Sequence, residues 1–116
     1  MLELPNRLSQ SRYADVIAAC NECANACDFC SAACLREPDP RHMAKCIAVD
    51  MDCAAVCRLA AAAMARDSAH LAYVCELCAR ICDSCAEECA SHEAQHCQDC
   101  AWACRRCAQI CRDLFP

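Results

Sequence analysis

The stretch Cys20-Asn21-Glu22-Cys23-Ala24-Asn25-Ala26-Cys27-Asp28-Phe29-Cys30-Ser31-Ala32-Ala33-Cys34 carries five cysteines separated by three, four, three and four residues. The same series recurs at Cys75, Cys78, Cys82, Cys85 and Cys89, and again at Cys97, Cys100, Cys104, Cys107 and Cys111. Steps of three and four place side chains on one face of an α-helix, with Cβ atoms about 5–6 Å apart. That stripe is the a/d seam, which ordinarily carries Leu or Ile into the core of a bundle. Here it carries thiols, so three segments read as helices that share a sulfur-lined interior.

Working outward, the punctuation between these segments predicts four helices. The first runs from about Ser9 to Leu35 and stops before Pro38-Asp39-Pro40, where Asp39 can cap a second helix with Pro40 at its first position. The second reaches about Arg66. Asp67 or Ser68 caps the third, which continues to about Ala90, and the fourth begins between Ser91 and Ala94 and ends by Asp113. Connections this short make consecutive helices antiparallel, which gives an all-α, up-down-up-down four-helix bundle with a Cys-lined core. One domain over residues 1–116, with its core at about 9–114, fits a chain of 116 residues. Glycine is absent, which favours helix throughout and removes Gly-rich phosphate loops from consideration.

The second helix has only Cys46, Cys53 and Cys57, but its seam continues through Met43, Cys46, Asp50, Cys53, Cys57, Ala60 and Met64. Stacking the helices antiparallel predicts five layers of four residues. From the bottom these are Cys20/Cys57/Cys75/Cys111, Cys23/Cys53/Cys78/Cys107, Cys27/Asp50/Cys82/Cys104, Cys30/Cys46/Cys85/Cys100 and Cys34/Met43/Cys89/Cys97. The layers take all 18 cysteines, with Asp50 and Met43 as the exceptions. Below them the seam offers Val16, Ala60, Leu71 and Leu114, then Tyr13 and Met64, an apolar plug at the base. At the other end lie His92 on the seam, His96 and His42 beside it, and Met43 just inside. That His/Met-bearing end reads as an entrance.

The remaining composition narrows the class. A formal net charge of −5 with interspersed signs offers no basic stripe for nucleic acid and no polybasic membrane patch. No apolar run is long enough to span a membrane. The start, Met1-Leu2-Glu3-Leu4-Pro5-Asn6-Arg7-Leu8, lacks a basic leader and an apolar run, so the expected location is the cytosol, where thiols stay reduced. No Ser/His/Asp set or paired-carboxylate cleft stands out, which argues against an enzyme. A Cys-based oxidoreductase would need one distinguished pair, and these thiols look alike.

Eighteen thiols are too many for core filler, because Cys is smaller than Leu and an all-Cys seam leaves a loosely filled channel. Disulfides at this spacing would be poorly oriented and would close only small loops. Soft metals remain: Cu(I), Zn(II) or iron–sulfur clusters. Stacked zinc thiolate sites would accumulate negative charge, and the ferredoxin run with its trailing Cys-Pro is missing. Cu(I) accepts two or three sulfurs and bridging thiolates, so multiple ions per chain can balance the thiolate charge inside the bundle. Asp50 is the one hard-oxygen donor on the seam, and a core Asp must be paired, hydrogen-bonded or metal-bound unless the register leaves it solvated. His92, His96 and Met43 are further candidate ligands. His42 reads as a surface residue, and so does His70 near the base.

The run Cys89-Ala90-Ser91-His92-Glu93-Ala94-Gln95-His96-Cys97-Gln98-Asp99-Cys100-Ala101-Trp102-Ala103-Cys104-Arg105-Arg106-Cys107 resembles the Cys-rich four-helix copper storage proteins, in their cytosolic branch. The resemblance covers about residues 9–114. It implies storage of many Cu(I) ions per subunit, loaded at one end, in a homotetramer of bundles that meets copper donor or acceptor proteins or small thiols. Asp50 and Met43 then fit auxiliary ligands, and the mouth is chiefly His where the exported branch uses Met. Trp102 and Tyr73 at f positions, with Phe29, Leu59 and Leu77 at c, put large apolar groups on the outside of the bundle, as an interface between copies requires.

Overall fold

The structure, a computed structural model, describes residues 13–116. Within them the chain forms helices α1 (Ala14–Cys34), α2 (Ala44–Arg66), α3 (Leu71–Ala90) and α4 (Gln95–Leu114), with one 3-10 turn (Pro40–Met43) before α2. Each helix packs on its sequence neighbour, and α4 closes the ring against α1, as an up-down-up-down bundle requires. The expected start at Ser9 lies outside the described residues. Among the described residues, no helix is long and apolar enough to cross a membrane.

Alanine and cysteine bury the helix faces, while the Asp, Glu, Lys and Arg side chains, Asp50 apart, stay outside them. Because both small residues lose little side-chain freedom on burial, close approach of four helices costs little entropy. The base is plugged by Tyr13, Ala60, Met64 and Leu71, all buried, with Val16 and Leu114 packed against them. Tyr13 Oη also donates to Asp67 Oδ1 at 3.5 Å, tying the start of α1 to the α2–α3 turn.

Two helix starts differ from the sequence expectation. Asp39 precedes Pro40 as expected, but it gives no side-chain cap and leads into the 3-10 turn, so α2 begins at Ala44. Residues 35–43 thereby arch over the end of the bundle and leave Met43 buried above the thiols. At the next junction neither Asp67 nor Ser68 is the N-cap of α3; that position falls to His70. Asp67 instead ends α2 in the left-handed region, at φ 52° and ψ 54°. Its N–H donates to Met64 O at 3.1 Å and Ser68 N–H to Ala63 O at 2.9 Å, the paired bonds of a Schellman closure. That position usually takes Gly, and in a glycine-free chain Asp is among the residues that tolerate it best. Ser68 supports the turn by accepting His70 N–H on Oγ at 3.1 Å.

Candidate metal centre

All 18 cysteines are free and buried. Their sulfurs form a column of contacts between helices, at 3.5 Å for Cys46–Cys89, 3.6 Å for Cys53–Cys82 and Cys57–Cys82, and 3.7 Å for Cys27–Cys104. These distances far exceed a disulfide bond of about 2.05 Å. Two sulfurs that share one ion at about 2.3 Å each stand up to ~4.6 Å apart, so the sulfur spacing is close to what bridging demands. Four-sulfur groups with every Sγ within 4.8 Å of the others include Cys20/Cys78/Cys107/Cys111, Cys23/Cys53/Cys57/Cys82, Cys23/Cys27/Cys53/Cys104 and Cys27/Cys85/Cys100/Cys104. Cys23, Cys27, Cys53 and Cys104 each recur between groups, and Cys57 joins the lowest group through Cys78 and Cys107, so the groups form a continuous lattice rather than separate closed cages.

The register of α2 differs from the predicted layers by one step. Cys57 meets Cys78 at 3.8 Å and Cys107 at 3.9 Å, Cys53 meets Cys82 and Cys104, and Cys46 meets Cys34 at 3.9 Å. Every α2 thiol is thus one layer nearer the mouth than expected. The physical reason is the 3-10 turn, which takes Met43 out of the seam and brings Cys46 opposite Cys34. The lowest layer, around Cys20 and Cys111 at 3.9 Å, receives no thiol from α2, whose next seam residue is the buried Ala60. On α1 the thiols interleave with those of α4: Cys20 contacts both Cys107 and Cys111, and Cys27 both Cys100 and Cys104.

Asp50 has 0 % exposure, so it is not a solvated misfit. Its Oδ1 accepts from the thiols of Cys85, Cys100 and Cys89 at 3.2, 3.3 and 3.5 Å, and Oδ2 lies 3.9 Å from Cys46 Sγ. Burial, followed by the charge of Cys100, pushes its carboxyl up to about 8. The folded protein therefore holds a proton on Asp50 through a pH range where the unfolded chain has released it. Stability from this group is complete below about pH 4 and is lost as pH rises through about 8. We expect the denaturation midpoint of the metal-free protein to fall between about pH 5 and 8, and Asp50→Asn to flatten that slope. An equal slope in the variant would exclude Asp50 as the cause. Asp50→Cys should fold and keep or slightly raise metal capacity.

The thiols also divide among themselves. Hydrogen bonds from Cys104 first, then from Cys23, Cys27 and Cys57, push Cys53 below the usual thiol range. Cys104 moves up through its contacts with Cys100, Cys23, Cys27 and Cys53. Near the mouth, burial and the charge of Cys46 hold Cys34 up to about 11. A few sulfurs can carry charge only because neighbouring thiols keep their protons, and full ionisation of the column requires cations inside it.

At the mouth the structure separates the two histidines. His96 Nδ1 stands 3.5 Å from Cys97 Sγ, 3.6 Å from Cys30 and 3.9 Å from Cys34, and the four ligand atoms form a compact group. Its Nε2 pairs with Glu37 Oε1 at 2.8 Å, so a proton held there leaves the Nδ1 lone pair facing the thiols. His92 bonds Glu88 Oε2 at 2.7 Å and meets the exposed His42 edge-on at 5.6 Å, and among the described residues it has no sulfur in hydrogen-bond reach. Together with Met43, Glu37 and Glu93, these two rings line an opening of about 390 Å³. His70 is exposed at the far end. Glu37 and Glu88 escaped the sequence reading. Glu88 was detectable, since it lies four residues before His92 on the helical spacing, whereas the Glu37–His96 pair joins residues 59 positions apart.

The family model described as "Copper storage protein" matches residues 9–116. A curated relative, the uncharacterized cysteine-rich protein YhjQ of Bacillus subtilis (strain 168), is 45% identical over 63 residues, 54% of this chain, and the match spans 58% of that protein's length. Among solved structures, the Cu(I)-bound copper storage protein BsCsp3 of Bacillus subtilis superposes with a TM-score of 0.86 at 42% identity, covering 90% of this chain and 98% of its own. A cytosolic copper storage protein from Streptomyces lividans, carrying five coppers, gives 0.85 at 42% identity, covering 88% of this chain and 90% of its own.

Proposed function

This chain belongs to the copper storage protein family, and we propose that it stores many Cu(I) ions in the cytosol on thiolates lining its bundle. The observation that carries this reading is the lattice of shared four-sulfur groups running through all four helices. Bridging thiolates bind Cu(I) at near one ion per sulfur, and the positive ions cancel the buried charge that otherwise opposes ionisation. Separate tetrahedral zinc sites would not share their ligands in this way. Asp50 serves as an auxiliary oxygen donor among Cys46, Cys85, Cys89 and Cys100, and His96 as a ligand beside Cys30, Cys34 and Cys97. His92, His42 and Met43 form the outer approach, so ions enter at this end and move inward by exchange between neighbouring sulfurs.

Anaerobic titration of the reduced protein with Cu(I) against a strong chelator tests the reading. Well over ten ions per chain is the expected result; saturation at one to four would point to a chaperone or a zinc-type module. We also propose a homotetramer, supported by the exposed Phe29, Leu59, Tyr73, Leu77 and Trp102 on the outer faces. Native mass spectrometry that finds only monomer would overturn that assembly.

A further inference from the structure

The base is plugged along the bundle axis by Tyr13, Met64 and Leu71, but the side wall there is open. A groove of about 520 Å³ lies between α3 and α4, with Ala72, Cys75 and Arg80 on one side and Cys111 and Arg112 on the other. Cys75 and Cys111 are buried, but as residues they are the least completely covered of the 18 cysteines at 2 % each, whereas Cys34, Cys89 and Cys97 at the mouth have 0 % exposure. Cys75 shares a side-chain hydrogen bond with Cys111 across the groove, so the two sulfurs form a pair at its floor. Cys111 leads inward, to Cys20 at 3.9 Å, which meets Cys107 at 3.8 Å. The small side chain of Ala72 leaves the groove unfilled.

Arg80 and Arg112, together with the Glu76 carboxylate that also lines the groove, give this opening its chemistry. The arginine side chains are 74% and 47% exposed, and each is paired with a surface carboxylate, Glu76 and Asp83. Exposed pairs of this kind are worth only about 0–1 kcal/mol, so an incoming carboxylate can replace either partner at little cost. The volume falls in the range of small-molecule sites, about 300–1,000 Å³, and suits a tripeptide-sized molecule rather than a protein surface.

We propose that this groove is a second exchange port, which admits an anionic low-molecular-weight thiol to copper held by Cys75 and Cys111. The inference rests on the reading of the thiol column as a Cu(I) store. Carboxylates of the visitor dock on Arg80 and Arg112 while its sulfur reaches the ion. A Cu–S bond to the first external thiolate forms as the bond to Cys75 breaks, and a second external thiolate then replaces Cys111. The two external thiols give up their protons, Cys75 and Cys111 take them, and copper remains Cu(I) throughout.

The test compares removal of Cu(I) from the fully loaded protein by glutathione, an anionic thiol, and by 2-mercaptoethanol, a neutral one. Ala72→Trp should slow removal by both several-fold with capacity unchanged. Arg80→Ala should slow only glutathione, by roughly threefold, the size of one surface ion pair. An unchanged rate in a fully loading Ala72→Trp protein overturns the port. If that variant fails to fold, Arg80→Ala decides, and an unaltered ratio of glutathione to 2-mercaptoethanol rates is the contrary result. Should the wild type hold few ions, so that the storage reading itself fails, alkylation of the metal-free protein still reads the opening. Iodoacetate and iodoacetamide should label Cys75 and Cys111 first, with the anionic reagent favoured there, and first labelling at Cys34 or Cys97 contradicts it.

Discussion

Loading with Cu(I) under anaerobic conditions raises the thermal unfolding midpoint by several tens of degrees, while far-ultraviolet circular dichroism of the helices hardly changes. The two effects have separate causes. Long Ala- and Cys-rich helices and the plug of Tyr13, Ala60, Met64 and Leu71 draw on helix propensity and apolar burial rather than on metal ligands, so we expect the backbone to be in place before loading. Each ion that binds only the folded state, at a free concentration 100 times its Kd, adds about 2.7 kcal/mol. For a domain of this size 1 kcal/mol moves the midpoint by about 4 °C. Four ions at that saturation therefore suffice for a shift of about 40 °C. A metal-free chain without helical signal would indicate metal-driven folding and would contradict a preformed store.

Replacing His92 and His96 together with Ala slows uptake from a low-molecular-weight Cu(I) complex by about tenfold, a barrier change of about 1.4 kcal/mol. Final capacity falls by no more than one ion, because the thiol lattice is untouched. Most of the slowing should come from His96, whose Nδ1 stands among Cys30, Cys34 and Cys97, and less from His92, which contacts Glu88 and His42 instead. Imidazole is a less soft donor than thiolate, so it can pass an ion inward without trapping it. Stopped-flow loading kinetics measure the effect. Wild-type rates in the double variant would place loading elsewhere on the molecule.

The periodicity of the cysteines made the bundle legible, because a step of three and four admits one helical face and short connections admit one topology. Burial of every thiol and of Asp50 follows from the same seam. The vertical register of α2 did not follow. It depends on how residues 35–43 cross the end of the bundle, and a Pro40 start is compatible with an α-helix or a 3-10 turn. Asp67 misled for a related reason: Asp suits both an N-cap and a left-handed position, and the sequence around it does not choose between them. Glu37 beside His96 and the groove beside Cys75 arise from tertiary approach, which no local spacing encodes.

The left-handed Asp67 in a chain devoid of glycine bears on the denatured ensemble as much as on the native turn. Glycine at that site would relieve a local strain of about 1–2 kcal/mol. It would also give the denatured chain extra conformational freedom, a loss of about 0.4–1 kcal/mol that offsets much of the gain. Across 116 residues without one glycine, the disordered state samples fewer backbone conformations than usual, and ordering it costs correspondingly less entropy. A sulfur-lined interior gives up the dense hydrophobic packing that holds most bundles together. Part of what replaces it is the stiffness of the chain before it folds.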